Sequence, residues 1–579
     1  MRTTFVTAFM NIYETPFQNK DLEWRFQHFR KLAQTGIQIA VIISPDCFSY
    51  MENMAIEFPN VKVIKQMHLS ETWVHQTYSR VADEVDIELP NSRNEQKDTK
   101  EYILLMNAKT EFLKIAIETN PFGSSHYAWI DFNIYHIFGG KEQIVLELLQ
   151  GLSKRTMAPY FLTLPGCWGK EHVNDTFLLN DICWRFCGGF FIGSADRLLE
   201  FHKYYTDYFE DFLRTKRKLV WEVNFWAYIE LAHSMSVIWY PGDHNEKILE
   251  ISVINMTLGL CSLPSATVVK YDYPDHGEYI PTSTGYAFHK GEHIINTRYV
   301  NYWLYPNGAY WIKDPDSYIR TRNFCSRLDP VTLVPMPLTE VQEDRFKEMV
   351  ADESIPCHGG RIYGLEDIRL YENAAGELWF IATSINYSGT GNNRMVRGRY
   401  DMDLGVCSGC EVLVPPHPDS WCEKNWIPIV HKGKDKFIYK WSPLEVGTIK
   451  EMEDGPLKGR KTLVIEASWA HTAPMFSNIR GSTPLVETDA GYIGAVHFSY
   501  EGGPRNYFHA MVLLDKETLV PLRYSEFFYF HEISVEFSIG FMIREGRYHF
   551  WLSNFDRDPE MMSISIDELP LQFDFYYKA

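Results

Sequence analysis

The stretch "IQIAVIIS", residues 37–44, is apolar except for Gln38 and Ser44. A strand wetted on one face alternates apolar and polar residues. An almost unbroken apolar run is instead buried on both faces, the habit of a parallel sheet covered by helices. The preceding segment agrees. "LEWRFQHFRKLAQTG", 22–36, carries its apolar residues at helical spacing and stops at Gly36, suited to the left-handed position beyond a helix. Further strands read at "TTFVTAFM" (3–10), "VKVIKQM" (61–67) and "YAWIDFN" (127–133). A helix is expected over 99–121, ending before a proline, and strand and helix alternate again through 188–216. Residues 1–262 are therefore expected to be an α/β domain on a mostly parallel sheet.

Helical spacing disappears from about residue 265. Short apolar runs follow one another across Asn, Asp and Gly turns, as in "RIYGLEDIRLYENAAGELWFIATSINY" and "GYIGAVHFSYEGGPRNYFHAMVLLDKETL". Residues 263–579 are expected to be all-β, a five-bladed β-propeller with blades of about sixty residues, and a pair of β-sandwiches is the structural rival. A chain of 579 residues is in any case too long for one ordinary core.

Composition narrows the function. The formal net charge of −19 disfavours binding to a phosphate backbone, and the short basic run "RTKRK" at 214–218 reads as a solvated helix end. The 34 Tyr and 16 Trp supply flat faces that stack on sugars, although they also fill ordinary cores. Ten Cys are scattered without a CxxC pair, the nearest approach being "CSGC" at 407–410, so free thiols in a reducing compartment are expected and a zinc site is not. The opening is too polar for a signal peptide and no window of about 18 apolar residues exists. The expected location is cytoplasmic, with peripheral attachment where glycans are assembled as a variant of it.

In "SSHYAWIDFNIYHIF", 124–138, Asp131 ends an aromatic and aliphatic strand, with Asn133 two residues on. A buried carboxylate without a partner is costly. At the carboxyl end of a strand in an open α/β sheet it instead meets the ligand crevice, where it can hold a divalent cation that bridges a diphosphate. The competing reading is a capped strand end. The segments "FVTAFMNIY", "MNAKTEFLKIAIETNPFGSSHYAWIDFNIYHIF", "FCGGFFIGSADRLLEFH" and "VWEVNFWAYIE" resemble the HtrL/YibB family over about 1–250. The resemblance implies a GT-A-like fold, a nucleotide-sugar donor and transfer to a glycan or glycoconjugate acceptor. On that reading Asp131, Asn133 and His244 hold Mn²⁺ or Mg²⁺, and Lys109 meets the donor's phosphates. Gly188 and Gly189 let the backbone approach a ligand, and Glu222 orients or deprotonates the acceptor; the competing readings are a surface-turn His244, a solvated helix Lys109 and a Glu222 carboxylate favoured by a helix N-terminus.

In the second half, "HGGRIYGLEDIRLYE" (358–372) crowds Glu366, Asp367 and Arg369 on one strand, and alternation places Asp367 and Arg369 on one face with Glu366 on the other. "SWCEKNWIPI" adds Lys424 and Asn425. Arg480, His497 and Glu536 are further polar groups expected to point inward. Charges so dense in a β-rich core are paired or functional. "GLEDIRL", "NTRY" (296–299), "TRN" (321–323) and "EKNW" resemble the five-bladed propellers of mannoside phosphorylases and related β-1,2-mannosyltransferases, with Ile368 where those carry proline. The resemblance implies that Asp367 donates a proton and that Arg369, Lys424, Arg480 and His497 face phosphate or sugar. The expected protein is a bifunctional glycosyltransferase of glycan biosynthesis. The alternatives are a single glycosyltransferase with a carbohydrate-binding propeller, a glycoside phosphorylase with an accessory first domain, and a lectin-like scaffold without activity.

Overall fold

The computed structural model describes the chain except residues 1, 14–19, 156, 158–159, 252–262, 264, 306–307, 344–360, 386–390, 418, 456, 472–475, 477–478, 501–505, 533 and 578–579. The chain divides into two compact units, Met1–Leu260 and Cys261–Ala579. The expected join at 262/263 abuts residues outside the description, as does "HGG" at 358–360. No helix among the described residues is long and apolar enough to cross a membrane.

The first unit runs β1 (Thr3–Phe9), α1 (Leu22–Gln34), β2 (Ile39–Ile43), α2 (Phe48–Glu57), β3 (Val61–Gln66), α3 (Trp73–Ala82), α4 (Lys100–Asn107), α5 (Lys109–Thr119) and β4 (His126–Ile130). It continues α6 (Glu142–Lys154), β5 (Leu162–Gly166), α7 (Asp175–Leu179), β6 (Phe190–Ser194), α8 (Ala195–Lys216), α9 (Glu222–Ala232) and β7 (Ile238–Pro241). These strands form one sheet in the order β3-β2-β1-β4-β6-β5-β7. All pairings are parallel except those of β6 with β4 and β5. Every residue of β2 and β4 is buried, because helix-borne apolar clusters cover both faces of the sheet.

The helix expected over 99–121 is two. Asn107 spends its amide on the carbonyls of Ile103 and Val220, at 2.8 and 2.9 Å. Ala108 then forms the joint, and α5 restarts so that Lys109 turns inward. The stop before Pro121 is as expected, with Asn120 left-handed at φ 39°.

The second unit opens with β8 (Thr267–Lys270), β9 (Ile280–His289), β10 (Glu292–Val300), β11 (Tyr302–Leu304), β12 (Tyr310–Ile312), β13 (Tyr318–Leu328) and β14 (Thr339–Glu343). There follow β15 (Arg361–Tyr363), β16 (Glu366–Glu372), β17 (Leu378–Ser384), β18 (Arg394–Asp401), β19 (Val406–Val414), β20 (Ile427–His431), β21 (Lys434–Trp441), β22 (Leu444–Glu451) and β23 (Lys461–Trp469). The chain ends with β24 (Ile479–Gly481), β25 (Val486–Thr488), β26 (Gly491–Tyr500), β27 (Asn506–Leu514), β28 (Pro521–Tyr524), β29 (Glu536–Arg544), β30 (Arg547–Asn554), β31 (Arg557–Ser565) and β32 (Phe573–Asp574).

Among the described residues these strands build successive antiparallel sheets: β9-β10-β13-β14, β16-β17-β18-β19, β20-β21-β22-β23, β24-β26-β27-β28 and β29-β30-β31. The unit's first strand, β8, adds to its last sheet by pairing β31, which ties the two ends of the unit together and covers an open edge. Strands β9 and β16 meet backbone to backbone: a Cβ on Gly285 would lie 2.2 Å from the Ile368 carbonyl oxygen, so only glycine fits there.

Candidate functional site

In the first unit, Asp131 leaves the carboxyl end of β4, beside the point where the strand order reverses about β1. That is where crevices form in open α/β sheets. Its amide donates to the Gly189 carbonyl at 2.9 Å. The carboxylate is held by its neighbours. Trp129 Nε1 donates to Oδ1 at 2.7 Å, and Lys109 Nζ lies 3.1 Å from the same oxygen. Lys109 also meets Glu222 Oε1 at 2.8 Å and donates to the Gly188 carbonyl at 2.7 Å. Burial works against this ammonium, but Asp131 and Glu222 outweigh it and hold the Lys109 pKa above its ordinary value.

The geometry reassigns several expected roles. The side chains of Lys109 and Glu222 are 2 % and 7 % exposed, so neither is placed to reach a phosphate or an acceptor hydroxyl. They fix Asp131 instead. Gly188 serves the same cluster, since a Cβ there would lie 2.1 Å from Glu222 Oε1 and 3.1 Å from Lys109 Nζ. At Gly189 a Cβ would press on Ile134 Cδ1 at 3.1 Å. Asp131 keeps 38 % of its side chain exposed while Oδ1 takes the two contacts, so the carboxylate retains an edge toward solvent. Half-buried Asn133 follows, opening a short turn over Ile134–Ile137. One ammonium between two carboxylates leaves a net negative charge. Such a site suits a divalent cation shared with phosphate oxygens of a ligand, rather than one caged by protein alone.

His244 makes none of these contacts. Among the described residues no hydrogen bond, ion pair or ring contact joins it to Asp131. Its ring stands edge-on to Trp184 at 4.5 Å, and its Nδ1 lies 3.0 Å from Asp243 Oδ1.

In the second unit the charged residues converge on the start of β16. Asp367 has φ 54°, and the pairing of β16 with β17 slips between Glu366 and Arg369. This bulge cancels the alternation read from the sequence. Glu366 and Asp367 consequently reach the same partner: Arg298 lies 3.3 Å from Glu366 Oε2 and 3.2 Å from Asp367 Oδ1. Lys424 approaches Glu366 at 3.5 Å, and Ser283 donates to Asp367 at 3.1 Å.

Burial raises the Asp367 pKa, but Arg298, Lys424 and Arg369, with the Ser283 hydrogen bond, overcome it and hold the carboxyl below its usual range. The surroundings of Asp367 therefore favour its ionised form. Asp556 is shifted the other way. Burial raises its pKa against the pull of Arg298 and of a 2.8 Å hydrogen bond from Tyr302, and the Asp367 charge adds to the rise.

Other expected ligand contacts are structural. Arg369, 1 % exposed, donates to the carbonyls of Ser482 and Gly481 and to Asn425 Oδ1 at 2.8, 3.4 and 3.0 Å. Its hydrogen bonds go to neutral oxygens, and Asn425, left-handed at φ 65°, is one of its acceptors. His497 is buried against Ser482 at 2.7 Å, and burial, aided by His509, Arg480 and Arg369, pushes its pKa well down, so it is neutral. Glu536 accepts the backbone N–H groups of Phe530, His531 and Glu532 at 2.6, 2.7 and 3.0 Å, pinning a turn. Arg480 is exposed on β24, in register opposite His497. Lys424, 30 % exposed, keeps an open side. Sequence reading placed Arg298 within "NTRY" without singling it out, and it missed Ser283, Tyr302 and Asp556, which no local pattern marks.

Comparison with known proteins gives the following. Residues 1–215 match the family model described as a bacterial protein of unknown function, HtrL_YibB. No curated protein matches. Among solved structures, the chain is similar to a β-1,2-mannobiose phosphorylase from Listeria innocua in complex with β-1,2-mannobiose, at 11 % identity and TM-score 0.35, over 52 % of this chain and 98 % of that one. A glycosyl hydrolase from Bacteroides ovatus matches at 11 % and 0.33, over 51 % and 87 %. A mannose phosphorylase from Leishmania mexicana, in complex with a phosphate ion, matches at 12 % and 0.30, over 54 % and 93 %.

Proposed function

We propose that the chain is an enzyme of glycan assembly with two separate sugar sites, the first of them a nucleotide-sugar-dependent glycosyltransferase of GT-A type. The donor lies at the carboxyl ends of β1 and β4. Asp131, with Asn133, holds a divalent cation, Mn²⁺ or Mg²⁺, shared with the donor's diphosphate. When bound, that cation neutralises the charge of the leaving nucleotide. Lys109 and Glu222 hold the Asp131 carboxylate in place from beneath, and Gly188 leaves room for their pairing. The carrying observation is this exposed, firmly held carboxylate at the reversal of the strand order.

The second unit is read as a five-bladed β-propeller, its blades the successive antiparallel sheets. Its sugar site lies around Asp367, Glu366 and Lys424, where ionised groups accept from and donate to hydroxyls. Burial raises the pKa of Asp556 while cations lower that of Asp367, and on this reading the two carboxyls would divide acid and base roles between them. A second reading, in which this unit only binds carbohydrate, is favoured by the three cations that hold Asp367 ionised.

The test is thermal stability of the full chain against a panel of nucleotide-sugars, with and without Mn²⁺. A ligand at a hundredfold excess over its Kd stabilises by about 2.7 kcal/mol. A Mn²⁺-dependent rise with one nucleotide, abolished in Asp131→Asn, is expected, and absence of any rise sinks the donor site. Product analysis separates the readings of the second unit. Asp367→Asn abolishes a product distinct from the one Asp131→Asn abolishes if that site is catalytic. It weakens only acceptor affinity, with turnover at saturation intact, if the unit is a binding module.

A further inference from the structure

Beside the Asp131 cluster, three ligand-bearing side chains far apart in sequence come together. Cys167 follows β5, Cys187 precedes Gly188, and His244 follows β7. Their ligand atoms all lie within 4.8 Å of one another, the one such group of His, Cys, Asp or Glu among the described residues. The two sulfurs are 3.7 Å apart. Two thiolates bound tetrahedrally at about 2.3 Å stand about 3.8 Å from each other, so the spacing is that of a shared metal ion.

The backbone fixes this arrangement before any ion arrives. Cys187 N donates to the Pro165 carbonyl at 2.8 Å, Cys167 N to Trp184 at 2.9 Å, and Gly242 N to Gly166 at 3.0 Å. Three segments are thereby laced together directly under the ligands. Asp243 Oδ1 lies 3.0 Å from His244 Nδ1 and 3.5 Å from Cys167 Sγ, where a carboxylate orients a metal-bound imidazole. Cys167 and His244 are exposed and Cys187 is buried, so an ion has a route in.

We propose that Cys167, Cys187 and His244 form a thiophilic metal site that takes Zn²⁺, with Asp243 as the orienting carboxylate and the fourth position open to water. Two thiolates and an imidazole select zinc over the oxygen-seeking Mg²⁺ and Mn²⁺. The site is distinct from the proposed cation at Asp131, but the two share a segment. Cys187 runs straight into Gly188 and Gly189, whose carbonyls receive Lys109 and the Asp131 amide. Zinc there braces the wall of the Asp131 cluster.

The full-length chain, isolated under reducing conditions and stripped with a chelator, is titrated with Co²⁺ and then with Zn²⁺. A thiolate-to-cobalt charge-transfer band with tetrahedral ligand-field bands is expected at one equivalent, and Zn²⁺ displaces it. Cys167→Ser and His244→Gln, both at exposed positions where folding is not at risk, weaken Zn²⁺ binding by at least about 10-fold, and Asp243→Asn weakens it by about 10–100-fold. Cys422→Ser leaves it unchanged. The proposal is overturned if no thiolate band appears, if the band is indifferent to Cys167→Ser and His244→Gln, or if mapping finds a Cys167–Cys187 disulfide that persists through the reducing isolation.

Discussion

The two charged clusters invert each other. In the first unit one buried ammonium, Lys109, lies between two carboxylates, Glu222 and Asp131, and only Asp131 reaches solvent. In the second unit two carboxylates, Glu366 and Asp367, sit among three cations, Arg298, Lys424 and Arg369. The first is left short of positive charge at its mouth and suits a cation. The second surrounds its acids with cations of the protein, although the buried Glu366 Oε1 has no hydrogen-bond partner among the described residues. The same residue types thus give opposite sites, because what matters is which member of the ion pair remains open.

The sharpest way to break this comparison is Lys109→Met. It strands Glu222 as an unpaired buried carboxylate, and urea unfolding should show a loss of about 3–5 kcal/mol. The double variant Lys109→Met/Glu222→Leu should recover most of it. No recovery would mean that Lys109 is more than the partner of Glu222. Gly188→Ala is expected next, at about 1–3 kcal/mol, because its Cβ falls on the Glu222 carboxylate, and donor binding should weaken with it.

Arg298→Met in the second unit should cost less than Lys109→Met, about 2–3 kcal/mol, because Lys424 remains 3.5 Å from Glu366. Equal costs would show that the second cluster has no spare cation.

The smallest effect is a pH dependence. Burial lowers the pKa of His202 in the first unit to about 4 and that of His509 in the second to about 3. Both fold as neutral rings, while the unfolded chain takes up protons near pH 6.5. Their contribution is fully present above pH 6.5 and is lost as pH falls toward those lower values. Unfolding measured from pH 7 to 4 should show this decline, and His202→Gln should flatten it by on the order of 1–2 kcal/mol.

Much of the α/β unit was legible because its signals are local. The apolar run at 37–44, the helix before Gly36 and the stop before Pro121 each depend on neighbours a few residues away. The place of Asp131 at the end of β4 was legible for the same reason, since an acid ending an apolar strand stands out. The break at Ala108 was not, because the Asn107 amide is spent on Val220, far along the chain. In the second unit, alternation misled at Glu366 and Asp367, since the bulge there arises from pairing with β17 and from the approach of Gly285 to Ile368.

The sequence by itself determined the division of texture, α/β and then all-β, and the density of charge around "GLEDIRL". Periodicity and composition are properties of the chain before it folds. Tertiary structure alone decided which charges meet. It bound Lys109, Glu222, Arg369 and Glu536 into contacts within the protein, and it set His244 beside Cys167 and Cys187. It also gathered Cys167, Cys187 and His244, which no spacing rule would have paired, because strand order and not sequence distance sets which strand ends are neighbours.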